Sequence, residues 1–201
     1  AEPSRVEFSQ QLIIALINHG SLCGSTGRSH EGGDAAREAV GVSRLLVAHI
    51  PEVPEHRLSL ANNLRDLAIM CGQVDDTGGR TSALAEASAL YRDLIGEPDM
   101  DVVAISYELA TVLSVTAALA NSANDYVTAR ETLAEQLRLE MLVSDARPTD
   151  RDFFRRMGNT YENSGIVENS AGDHASASQL FTIAANIFRE LLAEAIAPET
   201  D

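Results

Sequence analysis

The sequence predicts an all-α fold in which four antiparallel helical hairpins stack into a right-handed superhelix. Long stretches of this 201-residue chain carry apolar residues at three- and four-residue spacing, the pattern of an amphipathic helix. No stretch sustains the alternation of β-branched and polar residues that predicts a strand. Four of the expected helices contain similar hexapeptides near their ends, which indicates a repeated helical unit.

Eight expected helices cover most of the chain, in the order 7–22, 39–50, 58–72, 82–95, 102–120, 126–143, 152–169 and 175–196. Polar residues near their starts predict N-terminal caps at Ser4 (with Glu7 three residues on), Asp34, Asp125, Thr149 and Asp173. The prolines that fall between helices can end one helix without kinking the next: Pro51, Pro54, Pro98, Pro148 and Pro198.

The internal repeat is clearest in the second helix of each expected hairpin. Residues 42–47 read VSRLLV, 90–95 LYRDLI, 136–141 QLRLEM and 187–192 IFRELL. The shared arginines lie 48, 46 and 51 residues apart: Arg44, Arg92, Arg138 and Arg189. Five residues before each arginine stands Ala39, Ala87, Leu133 or Ala184. A small residue at this point lets a neighbouring helix approach closely, and the third copy matches least well.

The first helix of each hairpin also carries a small residue between apolar ones: Gly20, Ala68, Ala110 and Gly158. In the fourth copy its neighbours on the same face are Phe154, Met157 and Tyr161. The interval to the small residue of the second helix is 19 residues in the first two copies and longer in the others. These offsets resemble the two helices of a tetratricopeptide repeat (TPR).

The resemblance to the TPR family implies a single repeat domain over residues 1–201, with approximate repeats at 4–54, 55–99, 100–148 and 149–198. The period of about 45 to 50 residues exceeds the family's period of about 34, and the chain has no Trp. The repeats are also similar to arrays in bacterial multidomain signalling proteins. This likeness suggests a regulatory segment of a larger bacterial protein.

In the TPR family the first helices line a concave groove, so the resemblance implies a site for a protein or peptide. The groove positions are Asn62, Arg65, Ile69, Tyr107, Thr111, Ser114, Arg155, Asn159 and Glu162. Asn can pair with a peptide amide through both of its polar groups, and Arg can bind a carboxylate with two hydrogen bonds. The alternative for each residue is a solvated helix face that binds nothing.

The segment CGSTGRSHEGGD, residues 23–34, raises the alternative of a phosphate-binding loop. Such a loop needs G-x-x-x-x-G-K-[ST] after a strand, whereas this segment follows a helix and has Leu22 and Arg28 at the Gly and Lys positions. The corresponding segments of the other copies are also rich in Gly, Asn, Ser or Asp. We therefore expect a turn between helices, with Arg28 and His30 in solvent.

Other catalytic or metal-binding patterns are not found in the sequence. The five histidines share no metal-ligand spacing, and we expect His19 to be a packed core residue. No serine lies in a G-x-S-x-G elbow, and the acidic EPDMD segment, residues 97–101, has the character of a linker. We predict no catalytic residue, no cofactor, no metal and no enzymatic activity.

The net charge of −15, with 30 acidic residues, 15 arginines and no lysine, restricts the expected partners. It opposes binding to nucleic acids and anionic membranes and favours a basic protein or peptide. The sequence has no run of about 18 apolar residues, so it predicts no membrane span. Cys23 and Cys71 are expected to be buried thiols in a cytoplasmic protein.

Two functions remain open on these grounds, with an enzyme as a distant third. The first is a binding scaffold or adaptor. The second is a self-association module, because the first and last helices are apolar nearly all round. Such helices would be covered by a second copy in a homodimer or by further repeats.

Overall fold

The structure is a computed structural model that describes residues 3–196, and this range contains eight α-helices and no strand. The helices are α1 Pro3–Ser25, α2 Ser29–His49, α3 Pro54–Gln73, α4 Thr77–Ile95, α5 Val102–Ser122, α6 Tyr126–Ala146, α7 Arg151–Ser170 and α8 His174–Ile196. The predicted all-α architecture of helical hairpins is confirmed. Pro198 lies outside the described residues.

The chain divides into two compact units at Ile105/Ser106. In the first unit, α1 pairs with α2 and α3 with α4, and α2 packs against α3. In the second unit, α7 pairs with α8 and α6 packs against α7. Helices α5, α6 and α7 share a core cluster formed by Ala117, Ala129, Leu133 and Val167.

Each hairpin turns at one residue with a positive φ angle, and these residues recur at almost constant spacing. Gly27, Asp75, Asn124 and Gly172 have φ between 56° and 87° and are separated by 48, 49 and 48 residues. The residue that follows the turn caps the next helix in three of the four hairpins. The carboxylates of Asp76, Asp125 and Asp173 accept hydrogen bonds from backbone N–H groups three residues on, at 2.9–3.1 Å.

Three of the predicted caps are wrong. Ser4 lies inside α1, which begins one residue earlier at Pro3. Asp34 lies inside α2, which begins five residues earlier at Ser29, and the cap of α7 is Asp150 rather than Thr149. The expectation of a turn within residues 23–34 is confirmed, but only residues 26–28 lie outside helices. The glycines that suggested a longer loop belong to α2, where they allow another helix to come close.

The small residues predicted at close helix contacts are all buried: Ala39, Ala68, Ala87, Ala110, Gly158 and Ala184. Two glycines bring the backbones of α1 and α2 close together. A Cβ atom added at Gly32 would lie 2.9 Å from the carbonyl oxygen of Gly20, and one added at Gly20 would lie 3.2 Å from that of Gly32. Backbone cannot move aside as a side chain can, so this contact requires glycine.

Helix α5 is long and apolar enough to cross a membrane by length and composition alone, with a mean hydropathy of 1.8. The sequence analysis did not expect such a segment. Four of its large apolar residues, Ile105, Leu109, Val112 and Leu113, are at most 2% exposed, and 39% of the apolar window is buried. A core helix has this property, because its apolar side chains are covered by protein.

Two glycines of α2 provide a matched test of the helix contact. We expect Gly32→Ala to lower the free energy of unfolding by about 1–3 kcal/mol, since the new methyl group would press on α1. Gly41 is exposed and would meet nothing within 4 Å. Gly41→Ala should therefore raise the free energy of unfolding by about 0.5–1 kcal/mol through helix propensity alone. Urea unfolding measures both, and equal effects would contradict the close-contact explanation.

Candidate functional site

In the first unit, the predicted groove residues Asn62, Arg65 and Ile69 lie on α3. Asn62 lines a cavity of about 430 Å³ between α1 and α3, but its side-chain oxygen already accepts a hydrogen bond from the Tyr91 hydroxyl at 2.7 Å. Arg65 is half-buried and forms an ion pair with Asp66 at 2.9 Å. Ile69 is 50% exposed.

In the second unit, Tyr107 and Thr111 lie on α5, and Arg155, Asn159 and Glu162 lie on α7. The structure brings three of these five, Thr111, Arg155 and Asn159, together with the predicted Ser114 of α5 around one cavity of about 240 Å³, which we call the α5–α7 cavity. Its lining residues are Thr111, Ser114, Val115, Gln136, Glu140, Arg155, Arg156, Asn159 and Asn163. Glu162 is exposed and does not line it.

Tyr107 acts beside the cavity by positioning Arg156, a residue that sequence reasoning did not single out. The guanidinium carbon of Arg156 lies 4.0 Å from the centre of the Tyr107 ring, a cation–π contact. The Arg156 side chain also donates a hydrogen bond to the Thr111 hydroxyl at 3.0 Å. The Tyr107 ring is held by an edge-to-face contact with Phe153, with 5.8 Å between the ring centres.

Three buried polar residues form the inner wall of the cavity or support it, and the sequence analysis missed all three. Gln136 and Glu140 lie on α6 and Thr160 lies on α7, and none is more than 4% exposed. Glu140 Oε1 accepts hydrogen bonds from Gln136 Nε2 at 2.9 Å and from the Thr160 hydroxyl at 3.0 Å. The signal was present in the third hexapeptide, QLRLEM, which carries polar residues where the other copies have aliphatic ones.

The buried charge and polar atoms of this wall are only partly compensated by their neighbours. Burial raises the pKa of Glu140, while the hydrogen bonds from Gln136 and Thr160 and the positive charge of Arg156 offset part of this rise. Within the described residues, three buried atoms of this group have no hydrogen-bond partner: Glu140 Oε2, Gln136 Oε1 and Arg156 Nε. Two acceptors and one donor in this region therefore lack a partner.

A second cluster could hold a metal ion, although the sequence predicted none. The ligand atoms of His19, Cys23 and Glu31 lie within 4.8 Å of one another. Cys23 is buried, as predicted, and so is Cys71. His19, however, is exposed, so its prediction as a core residue is wrong. The Nε2 atom of His19 lies 3.4 Å from the Sγ atom of Cys23, which is one helical turn further along α1.

Apolar surface remains exposed on α1 and α8, as the sequence analysis expected. On α1, the large apolar residues at least 43% exposed are Phe8, Leu12, Ile14 and Leu22. On α8, those at least 39% exposed are Phe181, Ile183, Leu192 and Ile196. Leu12 also lines a mainly apolar cavity of about 290 Å³ with Leu45 and Leu46 of α2.

Comparison with known proteins identifies the fold and no more. No protein-family model and no curated protein matches the chain. The crystal structure of BtubC (BKLC) from P. vanneervenii matches with a TM-score of 0.74 and 18% identity over 96% of this chain and 68% of that chain. The DHF58 filament matches with a TM-score of 0.47 and 16% identity, covering 94% of this chain and 96% of that chain. The MamA protein matches with a TM-score of 0.43 and 14% identity, covering 96% of this chain and all of that one, 100%.

The match to BtubC supports a helical-repeat fold, since it covers nearly the whole chain. The structural similarity of DHF58 and MamA is too low to add to it. Membership of the TPR family itself stays a prediction from the residues.

The buried carboxylate predicts a pH-dependent stability. Because the pKa of Glu140 is raised in the folded chain, folding favours the protonated carboxyl. The stability that this gives is lost as pH rises from about 4.3, the pKa in the unfolded chain, through the pKa in the folded chain. Glu140→Gln removes the charge and adds an N–H donor. We expect this variant to be more stable than the parent by about 1–3 kcal/mol at pH 8.

Urea unfolding at pH 8 and at pH 4 checks this prediction. The difference between the two proteins should shrink at pH 4, where Glu140 is mostly protonated in both the folded and the unfolded chain. Glu131→Gln is the control, because Glu131 is exposed on the same helix. If Glu140→Gln were less stable than the parent at pH 8, the carboxylate would be better satisfied than its contacts indicate.

Proposed function

We propose that this chain is a non-enzymatic scaffold that binds a segment of a partner protein in the α5–α7 cavity. One observation carries the proposal: eight of the nine lining residues are polar, in a gap between neighbouring helices of a helical-repeat fold. Gln136 and Glu140 are buried, whereas Arg155 and Asn159 at the opening are exposed. The cavity therefore offers hydrogen bonds at two depths, as a site for an extended polypeptide requires.

The composition of the cavity favours binding over catalysis. Its lining residues include neither histidine nor cysteine, and its one lining carboxylate, Glu140, is buried against Gln136 and Thr160. A nucleophile would need a hydrogen-bonded base, and the lining side chain that hydrogen-bonds the Thr111 hydroxyl is the Arg156 guanidinium, which is not a base. This composition therefore supports binding better than nucleophilic catalysis.

The charge of the whole chain suggests the kind of partner. A net charge of −15 favours association with a basic or mixed segment and disfavours nucleic acids and anionic membranes. We propose a regulatory or adaptor role within a larger bacterial signalling protein of the cytoplasm. This part of the proposal rests on composition and on the likeness of the repeats to such arrays.

A peptide selection tests the scaffold function. Peptides selected from a random display library on the purified chain should bind with an affinity measurable by fluorescence anisotropy. Arg155→Ala/Asn159→Ala should weaken binding by about tenfold or more, equivalent to about 1.4 kcal/mol. The matched control is Arg138→Ala/Asn186→Ala, because neither of these residues lines the cavity.

Arg65→Ala, measured with the same peptides, reports whether α3 of the first unit takes part. Circular dichroism of all variants should show unchanged helical content. If the control and the Arg155/Asn159 variant bound equally well, the α5–α7 cavity would not be the site. Failure to select any binding peptide would count against the scaffold function itself.

The second candidate function is self-association, and the exposed apolar faces of α1 and α8 favour it. Phe8 is 64% exposed and Leu192 59%, and each belongs to a group of four large exposed apolar residues. Large exposed apolar side chains in this number are typical of interaction surfaces when they are contiguous. The simplest arrangement that covers one of them is a two-fold dimer.

Sedimentation velocity at micromolar concentration should show a dimer of the parent chain. Phe8→Glu should dissociate it if α1 forms the interface, and Leu192→Glu should dissociate it if α8 does, since a buried unpaired charge is costly. Each variant is the control for the other. A parent chain that sediments as a monomer would refute self-association and leave the scaffold function as the better account.

A further inference from the structure

The inner wall of the α5–α7 cavity departs from the other repeats at two positions. Glu140 is the fifth residue of its hexapeptide, where the other copies have Leu46, Leu94 and Leu191. Leu46 and Leu94 are buried, as Glu140 is. Gln136, the first residue, corresponds to Val42, Leu90 and Ile187. The two polar residues stand one helical turn apart on α6, so one face of this helix is polar where its counterparts are aliphatic.

This polar wall is incompletely satisfied, unlike its counterpart in the first unit. Between α2 and α3, Asn63 donates a hydrogen bond to the Ser43 hydroxyl at 2.7 Å, and Ser43 donates to the carbonyl of Ala39 at 2.9 Å. Neither side chain retains an unpartnered buried atom. Between α6 and α7, the buried Glu140 Oε2 and Gln136 Oε1 lack donors, and Arg156 Nε lacks an acceptor, among the residues described. Leaving such atoms unpaired is destabilising.

The charges around the cavity restrict what can pair with these atoms. Arg156 is close enough to act electrostatically on Glu140, and Arg155 lies at the opening in an ion pair with Asp152 at 3.2 Å. A cationic ligand would approach two guanidinium groups. A carboxylate ligand would lie beside the buried carboxylate of Glu140. A neutral ligand avoids both repulsions.

A primary carboxamide has two N–H donor hydrogens and one carbonyl acceptor. This set complements the two unpartnered acceptors and one unpartnered donor of the wall. The volume of about 240 Å³ is small for a whole ligand molecule and suits a single side chain. Asn159, Asn163 and Ser114 also line the cavity and remain available to the main chain that carries this side chain.

We infer that the α5–α7 cavity binds the carboxamide of an Asn or Gln side chain from the partner segment, with Glu140 and Gln136 accepting its N–H groups and Arg156 donating to its carbonyl. The inference rests on the proposed scaffold function and specifies the residue that this cavity selects. The three atoms are covered in the unbound chain, so the lining side chains must move slightly to admit the ligand.

The test is an NMR titration of the isotope-labelled full chain with single-residue probes. The probes are the N-acetyl N-methylamides of glutamine and asparagine, compared with those of glutamate, lysine and leucine. The glutamine or asparagine probe should shift the side-chain amide signal of Gln136 and the backbone signals of Glu140 and Thr160. Dissociation constants in the millimolar range are expected for ligands of this size. The three comparison probes should bind at least about tenfold more weakly.

Two variants of Glu140 then separate recognition from folding. Glu140→Gln places a donor where the carboxylate offered an acceptor, beside the positive charge of Arg156. This variant should bind the carboxamide probes about tenfold or more weakly than the parent does. It should bind the glutamate probe more tightly than it binds the carboxamide probes. Glu140→Leu restores the residue of the other copies and should bind none of the probes. Glu131→Gln, which removes an exposed charge from the same helix, should bind as the parent does.

Several outcomes would overturn the inference. Stronger binding of the lysine probe would make the cavity a cation site, and stronger binding of the glutamate probe to the parent would make it an anion site. Absence of shifts with every probe would mean that only water occupies the cavity. Carboxamide binding that persists in Glu140→Gln would exclude the assigned role of Glu140. If selected peptides bind through Arg155 and Asn159 but show no need for Asn or Gln, the scaffold function stands and this inference fails.

Discussion

The fold depends on the close approach of neighbouring helices at small residues. Ala39 and Ala87 are completely buried at equivalent points of two hairpins, and Gly20 and Gly32 bring two backbones together. Aromatic residues make up only 4% of the chain, so large rings cannot fill wide gaps between helices. Short distances between the helix axes let aliphatic side chains complete the core instead. The positive-φ residue at each turn then sets where the next helix begins, which keeps the repeats in register.

The third copy keeps this framework and changes its chemistry. Leu133 replaces the alanine of the other second helices and is still buried, with 2% exposure, in the cluster shared with Val167. One and two turns further along α6, Gln136 and Glu140 replace aliphatic residues. Local sequence and global fold disagree at these two positions and agree elsewhere in the hexapeptide. Such a disagreement is expected where a function imposes its own requirement on a core position.

The helices and their pairing could be predicted from the sequence because both follow from short-range patterns. The recurrent arginines fall in the second helix of each hairpin, although Arg44 and Arg138 lie on the surface and form no part of the core. The arginines therefore served to align the repeats because they recur at the same position along the helix, and not because they contribute to the core. The start of α2 could not be found in this way. Its glycines have the composition of a loop, and only the contact with α1 shows why they belong to a helix.

The candidate site was predictable to a lesser degree. Thr111, Ser114, Arg155 and Asn159, named from the TPR resemblance, line one cavity, because groove positions follow from helix periodicity. Their role in binding stays a prediction. The resemblance also named Asn62, whose side-chain oxygen is engaged by Tyr91 from the adjacent helix. It missed Glu140 and Gln136, because they lie on the second helix, outside the groove positions. Comparing the four hexapeptides position by position would have exposed them, since buried glutamate is rare without a partner.

In the proposed site, this buried carboxylate couples stability to binding. Desolvation of Glu140 opposes folding in the unbound chain, and the partner hydrogen bonds from Gln136 and Thr160 satisfy only one of its two oxygens. A ligand that binds the folded chain alone adds to its stability in proportion to RT ln(1 + [L]/Kd). A donor placed on the second oxygen thus relieves a cost that the unbound chain already bears. The same atoms that weaken the empty hairpin would then favour the partner that pairs with them, and a leucine at this position would give a more stable repeat with nothing to recognise.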